Sequence, residues 1–322
     1  MSMPVESDRD HRFIARAVDL AKNGLYTTKP NPRVGCVVVQ GDEIVGEGWH
    51  ERAGESHAEI HALSAAGERA KGSEIFVSLE PCAHTGRTGP CAEALVDAGV
   101  KRVVAAMIDP NPQVAGRGIE MLRSAGIEAE ISEKDCGAVE LNAGFCKRMA
   151  SGRPLVRLKV AATMDGRTAA NDGSSQWITG EAARAEVHAL RARSCAIVTG
   201  IGTVREDDPR LNARVDEDVV QPLRVVLDGN SQLDPDARLF SEPGDVLVIT
   251  SRENDEGYGF DARTEQLCLA GEDGRVDVAG VLNILAARSC NEVLVEAGAG
   301  VAGAFVSRGL VDEIWVYQSP DM

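Results

Sequence analysis

The chain has 322 residues, of which 43% are hydrophobic and 26% charged, so it is long enough and apolar enough to bury the cores of two ordinary domains. Its 50 acidic residues against 34 basic ones give a formal net charge of -16, which argues against a nucleic-acid partner because binding to phosphates depends on basic patches. No apolar run approaches the ~20 residues of a membrane span, and the polar N-terminus has no signal-peptide pattern, so we expect a cytoplasmic protein without a membrane partner.

Short β-branched runs alternate with helical patterns in the first half of the chain. Apolar residues at helical spacing predict a helix over residues 8–23, which ends at Gly24. Strands are predicted at 34–39, 74–79 and 102–107, and further helices at 57–70, 91–98 and 117–125. Because strands that alternate with helices build layered domains, residues 1–150 are predicted to form an α/β domain around a largely buried sheet.

The turn-like sequence SGRP at 151–154 precedes a second alternation of the same kind. Strands are predicted at 155–162, 195–200, 223–228, 245–250, 292–297 and 313–318. Helices are predicted at 180–193, 278–288 and 300–309, whereas 251–280 is loop-rich and weakly patterned. Residues 151–322 are therefore predicted to form a second α/β domain.

Candidate ligands for a catalytic metal occur in the first domain. Most of the eight cysteines are scattered in apolar stretches, as reduced thiols are, but Cys82 and Cys91 form a candidate pair. A hydrolytic zinc site uses three protein ligands and keeps a fourth position for water, and the imidazole of His57 with two thiolates suits zinc. Glu59 completes the zinc-deaminase signature, in which the glutamate moves protons and is not a ligand. Both cysteines are predicted at helix starts, where the helix dipole favours thiolate.

Structural alternatives to this metal site also fit parts of the pattern. The sequence SHAE at 56–59 is a helix capping box with Ser56 as its cap. His61, one turn after His57, is more typical of a core or surface histidine than of a ligand. The two cysteines are separated by eight residues rather than the usual two to four, so the pair alone would be weak evidence for a metal.

The insert AHTGRTGP between the cysteines carries a neutral hydrogen-bonding side chain, His84, and a cation, Arg87. Both suit a substrate with polar ring groups and a phosphate. A nucleic-acid or nucleoside deaminase would instead have a shorter cysteine spacing and a basic face. A non-catalytic, zinc-stabilised binding module would close its metal site with a fourth ligand and would not need Glu59.

A glycine-rich motif lies near the end of the chain. EVLVEAGAGVAGAF is typical of a strand, the pattern Gly298-x-Gly300-x-x-Gly303 and a helix, an arrangement whose backbone amides face a dinucleotide pyrophosphate. The acidic residue expected about 20 residues further on is not cleanly placed, which argues against a plain Rossmann unit.

The motifs together resemble the bifunctional riboflavin-biosynthesis deaminase-reductase family. In the first half these are NPRVGCVVV, GWHERAGESHAEIHAL, LEPCAHTGRTGPC and DPNPQVAGRGIEMLRSAGI. In the second half they are RPLVRLKVAATMDGRTA, SSQWITG, GTVREDDPRL and VEAGAGVAGAFVSRGLVDEI. The resemblance covers nearly the whole chain in the same order and at near-identical spacing, so it is highly specific.

For the first half, the resemblance implies a cytidine-deaminase-like three-layer domain. This domain replaces the ring 2-amino group of a diamino-pyrimidinone ribosylamine phosphate with oxygen. The resemblance implies that Glu59 is the proton shuttle and that zinc is bound by His57, Cys82 and Cys91. The side chains that match the family's contacts to the pyrimidine and its ribose phosphate are Asn31, His50, His84 and Arg87.

For the second half, the resemblance implies a dihydrofolate-reductase-like domain that uses NADPH to reduce the ribosyl chain to ribityl. The residues that match nucleotide contacts are Ala161, Trp177, Thr203, Asp207, Gly298, Ala299, Gly300, Val301, Ala302, Gly303 and Ala304. The residues that we assign to the reductase substrate are Lys159, Ser175, Arg191, Leu211, Arg214 and Glu296. The two arginines make sense as a phosphate clamp, and Lys159 and Asp207 are candidates for polar catalytic or orienting roles.

The chain departs from the family at its C-terminus, where family members continue beyond the strand that ends near Tyr317. We therefore expect a C-terminally truncated reductase sheet with an exposed edge. A deaminase with a non-functional reductase half is the alternative that this departure raises. We also expect a homo-oligomer that acts on a small phosphorylated pyrimidine.

Overall fold

The computed structural model describes residues 8–83, 89–112, 114–168, 179–252 and 262–319. The chain divides into two compact units, Met1–Ser151 and Gly152–Met322, each of which has its own sheet. No helix in the described ranges is both long and apolar enough to cross a membrane. The predicted site residues that lie outside the described ranges are His84, Arg87, Ser175 and Trp177.

The first unit is built on a five-stranded sheet with the order β2-β1-β3-β4-β5. Its strands are β1 (Gly35–Gln40), β2 (Glu43–Trp49), β3 (Glu74–Val77), β4 (Arg102–Ala105) and β5 (Glu128–Ile131). Its helices are α1 (Asp8–Ala21), α2 (Ala58–Ala66), α3 (Cys91–Asp97), α4 (Arg117–Ser124), α5 (Ala138–Leu141) and α6 (Ala143–Ser151). Strand β1 runs antiparallel to β2 and β3, whereas β3, β4 and β5 are mutually parallel.

Helices cover both faces of this sheet. Because side chains alternate along a strand, Val38 and Ile75 point to the face where α2, α3 and α4 pack. Val37 and Phe76 point to the opposite face and pack against α1. The predicted three-layer α/β architecture is therefore confirmed.

The second unit is built on a seven-stranded sheet with the order β10-β9-β8-β7-β11-β6-β12. Its strands are β6 (Leu155–Thr163), β7 (Ala196–Gly200), β8 (Leu223–Leu227), β9 (Val246–Thr250), β10 (Thr264–Cys268), β11 (Glu292–Val295) and β12 (Glu313–Ser319). Its helices are α7 (Glu181–Arg193), α8 (Ile201–Asp207), α9 (Val278–Ala287) and α10 (Ala299–Ser307). Every described strand pair is parallel, so all the strands end at one edge of the sheet.

Strand β12 forms one margin of this second sheet. Its side chains Ile314 and Val316 are 57% and 60% exposed. These apolar side chains lie on a strand that has a neighbour on only one side among the described strands.

The predicted helices and strands all occur, with ends shifted by a few residues. The elements that the sequence analysis missed are β2, β5, β10, α5, α6 and α8. Segment 251–280 was predicted to be loop-rich, but it contains β10, which pairs in parallel with β9. Strand β2, with the sequence EIVGEGW, escaped prediction because its two glycines interrupt the apolar pattern.

Those two glycines let helix α2 lie directly on the backbone of β2. A Cβ atom added at Gly46 would lie 2.3 Å from the carbonyl oxygen of Ala62. A Cβ atom added at Gly48 would lie 2.6 Å from the amide nitrogen of Ala62 and 2.7 Å from the carbonyl oxygen of Ala58. Because these neighbours are backbone atoms, the helix would have to move as a whole to make room.

We therefore expect Gly48→Ala to lower the free energy of unfolding of the first unit by about 2–3 kcal/mol, since overpacking against fixed backbone forces the helix away. The change should also reduce the bound zinc, because His57 immediately precedes α2. Thermal unfolding and metal analysis would measure both effects. Gly89→Ala is the control, since no atom of the described residues lies within 4 Å of a Cβ atom added there. Equal stability of the two variants would contradict the close packing.

Candidate active sites

Three soft ligand atoms meet at one end of the first sheet. His57 is the N-cap of α2, Cys91 is the first residue of α3, and Cys82 lies in the link that follows β3. The Nδ1 atom of His57 is 3.2 Å from the Sγ of Cys91 and 3.7 Å from the Sγ of Cys82. All three ligand atoms lie within 4.8 Å of one another.

This cluster fits a tetrahedral zinc ion. Zinc–nitrogen bonds of about 2.0 Å and zinc–sulfur bonds of about 2.3 Å place tetrahedral ligand atoms roughly 3.5–3.8 Å apart. The two distances from His57 to the thiols, 3.2 and 3.7 Å, lie on either side of the roughly 3.5 Å expected for a nitrogen–sulfur pair on zinc. Among the described residues, the cluster does not include His61. This agrees with the interpretation of His61 as a core or surface histidine.

The two thiols do not ionise independently. The Cys91 thiol, together with the His57 ring and the Cys91 backbone N–H, lowers the pKa of Cys82 to about 4. The pKa of Cys91 is in turn raised, first by Cys82 and then by burial. Two thiolates this close repel each other, so a cation is needed to ionise both, as a bound metal does.

The helix-start prediction is confirmed for Cys91 and wrong for Cys82. Pro90 is the N-cap before Cys91, the first residue of α3. Cys82 belongs to no helix, but its Sγ accepts the backbone N–H of Cys91 at 3.3 Å. The first amide of α3 thus stabilises the Cys82 thiolate, although Cys82 is not part of that helix.

Glu59 lies beside the metal ligands and is only 3% exposed. Its Oε2 atom has no hydrogen-bond partner among the described residues. Burial, and then the negative charge of Cys82, raise the pKa of Glu59 to about 7. The capping-box interpretation is wrong, because the N-cap of α2 is His57 and no side chain caps it. Glu59 is therefore a carboxyl group that can hold or release a proton near neutral pH.

Asn31 and His50 form a neutral polar wall next to the ligands. The Nδ1 atom of His50 is 3.0 Å from the carbonyl oxygen of Ser56, and its Nε2 atom is 3.0 Å from the Nδ2 atom of Asn31. Because a carbonyl oxygen only accepts, Nδ1 carries the proton and Nε2 accepts from the Asn31 amide. Burial lowers the pKa of His50, which keeps the ring neutral, and the rings of His50 and His57 are 5.2 Å apart.

The glycine-rich loop of the second unit joins β11 to α10, with Gly298 as the N-cap. The N–H of Gly298 donates to the Oγ1 of Thr203 at 3.2 Å, which ties this loop to α8. A Cβ atom added at Gly200, the last residue of β7, would lie 2.7 Å from the Val301 side chain. Predicted nucleotide residues that follow β7 and β11 thus lie together at the carboxyl edge of the sheet, and Ala161 lies on β6 opposite Tyr317 of β12.

A buried ion pair anchors the substrate residues predicted in the second unit. Arg191 on α7 donates to both carboxylate oxygens of Glu296, at 2.6 and 2.9 Å, directly after β11. Arg191 also donates to the carbonyl oxygen of Asn212 at 3.4 Å. The positive charges of Arg191 and then Lys159 lower the pKa of Glu296 against the effect of its burial. Arg191 is therefore held rigidly by its carboxylate.

Arg214 adds positive charge to this cluster. Its Nη1 donates to the side-chain oxygen of Asn212, and burial, then Arg191 and Arg210, lower its pKa. Like charges this close favour a bound anion. Leu211 directly precedes Asn212 and has a φ of 53°, a left-handed conformation that is unusual for a leucine and that points to a constrained loop.

The sequence analysis missed four residues that support this cluster. The Nδ2 atom of Asn212 donates to the Oε2 of Glu242 at 2.7 Å. Arg224 in turn holds the main chain of Glu242, because it donates to the carbonyl oxygen of Glu242 at 3.2 Å. His188 accepts the backbone N–H of Arg214 at Nδ1, at 3.3 Å. His188 lies three residues before Arg191 on a predicted helix, so helical spacing alone could have identified it.

The protonation of His188 provides a test of the charge in this cluster. Burial and then the charges of Arg191 and Arg214 lower the pKa of His188 to about 4. An NMR titration should find this low value, and inorganic phosphate bound between the arginines should raise it, because an anion cancels their repulsion. A pKa near the ordinary 6.5 that does not respond to phosphate would contradict the assignment of this cluster as an anion site.

Comparison with known proteins agrees with both sites. Residues 7–107 match the family described as the cytidine and deoxycytidylate deaminase zinc-binding region. Residues 154–322 match the family described as the RibD C-terminal domain. The two matches fall on the two compact units of the structure.

Full-length relatives extend this similarity to the whole chain. The riboflavin biosynthesis protein RibD of Escherichia coli is 46% identical over 98% of this chain and 88% of its own length. RibD of Haemophilus influenzae is 45% identical over 98% of this chain and 87% of its own length.

Solved structures show the same similarity. Acinetobacter baumannii RibD superimposes with a TM-score of 0.91 at 46% identity, over 98% of this chain and 88% of that one. A Thermotoga maritima diaminohydroxyphosphoribosylaminopyrimidine deaminase/5-amino-6-(5-phosphoribosylamino)uracil reductase does so with a TM-score of 0.88 at 35% identity, over 98% and 87% of the two chains.

Fold, site and matches define a zinc-dependent deaminase that is joined in one chain to an NADPH-dependent reductase. The metal cluster belongs to the deaminase unit, and the glycine-rich loop to the reductase unit. The chain belongs to the RibD family of bifunctional riboflavin biosynthesis enzymes.

Proposed function

We propose that the chain first deaminates 2,5-diamino-6-(5-phosphoribosylamino)pyrimidin-4(3H)-one and then reduces the ribosyl chain of the product to ribityl. The observation that carries this proposal is the His57–Cys82–Cys91 cluster with the buried carboxyl group of Glu59 beside it. The name of the Thermotoga maritima relative describes the same pair of activities for that protein.

In the deaminase unit, we assign His57, Cys82 and Cys91 as zinc ligands. When bound, zinc lowers the pKa of a coordinated water to about 7 and so supplies a nucleophile at neutral pH. Glu59 takes up a first proton from the attacking water and passes it to the ring nitrogen, and then carries the second proton of that water to the departing amine, which its pKa near 7 allows. Asn31 and His50 orient the pyrimidine from the side, and we keep His84 and Arg87 as contacts to the ring and its phosphate.

Glu59→Gln should lower the deamination rate by ~10²–10⁴-fold and retain zinc, because the amide cannot shuttle a proton. Ammonia release and metal stoichiometry, measured on the same samples, would separate catalysis from binding. His57→Ala is the comparison, since it should lose the metal together with the activity. A Glu59→Gln enzyme with wild-type turnover and full zinc content would rule out the proton-shuttle role.

In the reductase unit, we assign Arg191 and Arg214 to the substrate phosphate, and the loop from Gly298 to Ala304 to NADPH. When bound, NADPH supplies the hydride. The loop amides at the start of α10 favour the nucleotide phosphates, and Thr203 holds the loop in place. The charge of Lys159 acts on Glu296, which supports an orienting role for Lys159 at the same pocket. Asp207 ends α8 and stays a candidate polar contact to the nucleotide.

Arg214→Ala should raise the KM of the reductase for its phosphorylated substrate by about 10–100-fold, the loss expected for a hydrogen bond between charged groups. The dephosphorylated analogue lacks the partner of Arg214, so its KM should change little. Arg288→Ala removes an arginine that pairs with Glu265 and is the control for net charge. Equal losses on the phosphorylated and dephosphorylated substrates would show that Arg214 supports the loop and does not bind phosphate.

Two alternative functions fit less well. A nucleic-acid or nucleoside deaminase would not carry a second unit, yet residues 154–322 match the RibD C-terminal domain. A deaminase with a non-functional reductase half is not favoured either, because the nucleotide loop and the Arg191–Glu296 pair are both formed.

We further propose a cytoplasmic homo-oligomer that acts on small molecules and not on nucleic acid. No disulfide joins the eight cysteines, all of which belong to the described ranges, and this supports a reducing compartment. The net charge of -16 disfavours a polyphosphate partner. The exposed apolar side chains of Ile314 and Val316 on an edge strand resemble those of subunit interfaces.

A further inference from the structure

Glu80 is a buried carboxylate two residues before the proposed zinc ligand Cys82, and it is only 3% exposed. Its Oε1 atom accepts the backbone N–H groups of Gly118 and Ile119, at 2.9 and 3.3 Å. Its Oε2 atom accepts those of Asp109 and Gly116, at 3.1 and 2.9 Å. One side chain thus binds four amides of a single segment, residues 109–119.

Backbone dipoles alone compensate the charge of Glu80, since no described Lys or Arg forms an ion pair with it. Three of its four donors lie at the start of α4, where unpaired amides and the helix dipole favour an anion. Buried charges are costly unless they are satisfied by hydrogen bonds, so this arrangement fixes the side chain and its donors in one geometry.

The same segment also contacts the backbone that leads to Cys82. A Cβ atom added at Gly118 would lie 1.9 Å from the carbonyl oxygen of Pro81, so only glycine allows this approach. Pro81 restricts the chain between Glu80 and Cys82 further, because its ring fixes φ. The start of α4 therefore holds the main chain immediately before the ligand.

On its other side, Cys82 is held by the start of α3. Its carbonyl oxygen accepts the N–H of Ala92 at 3.1 Å, and its Sγ accepts the N–H of Cys91 at 3.3 Å. The amides of α3 thus contact Cys82 itself, whereas Glu80 and the start of α4 hold the chain that leads to Cys82.

We propose that Glu80 is a positioning residue that sets the location of the Cys82 thiolate and thereby the affinity of the site for zinc. The proposal rests on the assignment of Cys82 as a zinc ligand. Glu80 touches neither the metal ligands' donor atoms nor the substrate in this scheme. It acts by coupling the start of α4 to the chain that carries Cys82.

The first test is Glu80→Gln in the full-length protein. The amide group keeps the size of the side chain but turns an N–H donor towards two backbone N–H groups, which must then separate. Zinc affinity, measured by competition with a chromophoric chelator, should fall about 10–100-fold, as is usual when the groups that hold a ligand are changed. Deaminase activity should recover when zinc is added in excess.

The matched control is Glu74→Gln. Glu74 is 8% exposed, begins the same strand β3, and pairs with Arg9, Lys101 and Arg102 at the end of the strand away from Cys82. Its loss should lower the melting temperature of the unit and leave zinc affinity unchanged. If Glu80→Gln lowers the melting temperature and binds zinc as tightly as the wild type, Glu80 is only structural and the proposal is overturned.

Two further variants keep the outcome decisive. If Glu80→Gln does not fold, Glu80→Asp, which keeps the charge but is shorter, should fold, bind zinc less tightly than the wild type and shift the absorption bands of the cobalt-loaded site. Wild-type zinc affinity and unchanged cobalt bands in Glu80→Asp would overturn the proposal. Cys82→Ala tests the assignment of Cys82 as a zinc ligand, on which the proposal rests. If this variant keeps wild-type zinc affinity, that assignment is wrong, independently of the results for the Glu80 variants.

Discussion

The convergence of helix N-termini at one end of a sheet is the constraint on which the first unit depends. His57 is the N-cap residue of α2, Cys91 begins α3, and the first amides of α4 donate to Glu80. Each N-terminus presents unpaired N–H groups and a partial positive charge. The first amide of α3 stabilises negative charge on the Cys82 thiol, and those of α4 stabilise it on the Glu80 carboxylate. The backbone that builds the layers thus also prepares a ligand for a cation.

The second unit needs positive charge at its site rather than negative charge, because the ligands that we assign to it are anions. Parallel strands bring their carboxyl ends to one edge, where Glu296 follows β11 and neutralises Arg191. With that pair internally balanced, Arg214 supplies the excess positive charge, whereas its neighbour Arg210 is paired with Glu242. An acidic protein can therefore bind a phosphorylated substrate, since local geometry and not net charge determines the potential inside a small pocket.

Sequence patterns predicted those parts of the molecule that depend on residues close together in the chain. The layered α/β units, the His57–Cys82–Cys91 set and the glycine-rich loop follow from periodicity and spacing. Strand β2 was missed because Gly46 and Gly48 serve a contact with α2 that is distant in the chain. The roles of Glu80 and Glu242 were missed for a related reason: their partners, on 109–119 and at Asn212, become neighbours only in the fold. Ser56 was assigned as a cap from local sequence, yet His57 takes that position.

The fixed tautomer of His50 has a consequence for the amide group of Asn31. Both ring nitrogens of His50 are bonded within the protein, Nδ1 to the carbonyl oxygen of Ser56 and Nε2 to the amide nitrogen of Asn31. If the Asn31 amide were flipped, its oxygen would meet the lone pair of Nε2, so this hydrogen bond selects one of the two amide orientations. Two groups that differ by only one atom are thus told apart by an imidazole whose own proton is fixed by a backbone carbonyl, and the donor and acceptor ends of the amide keep fixed places in the wall.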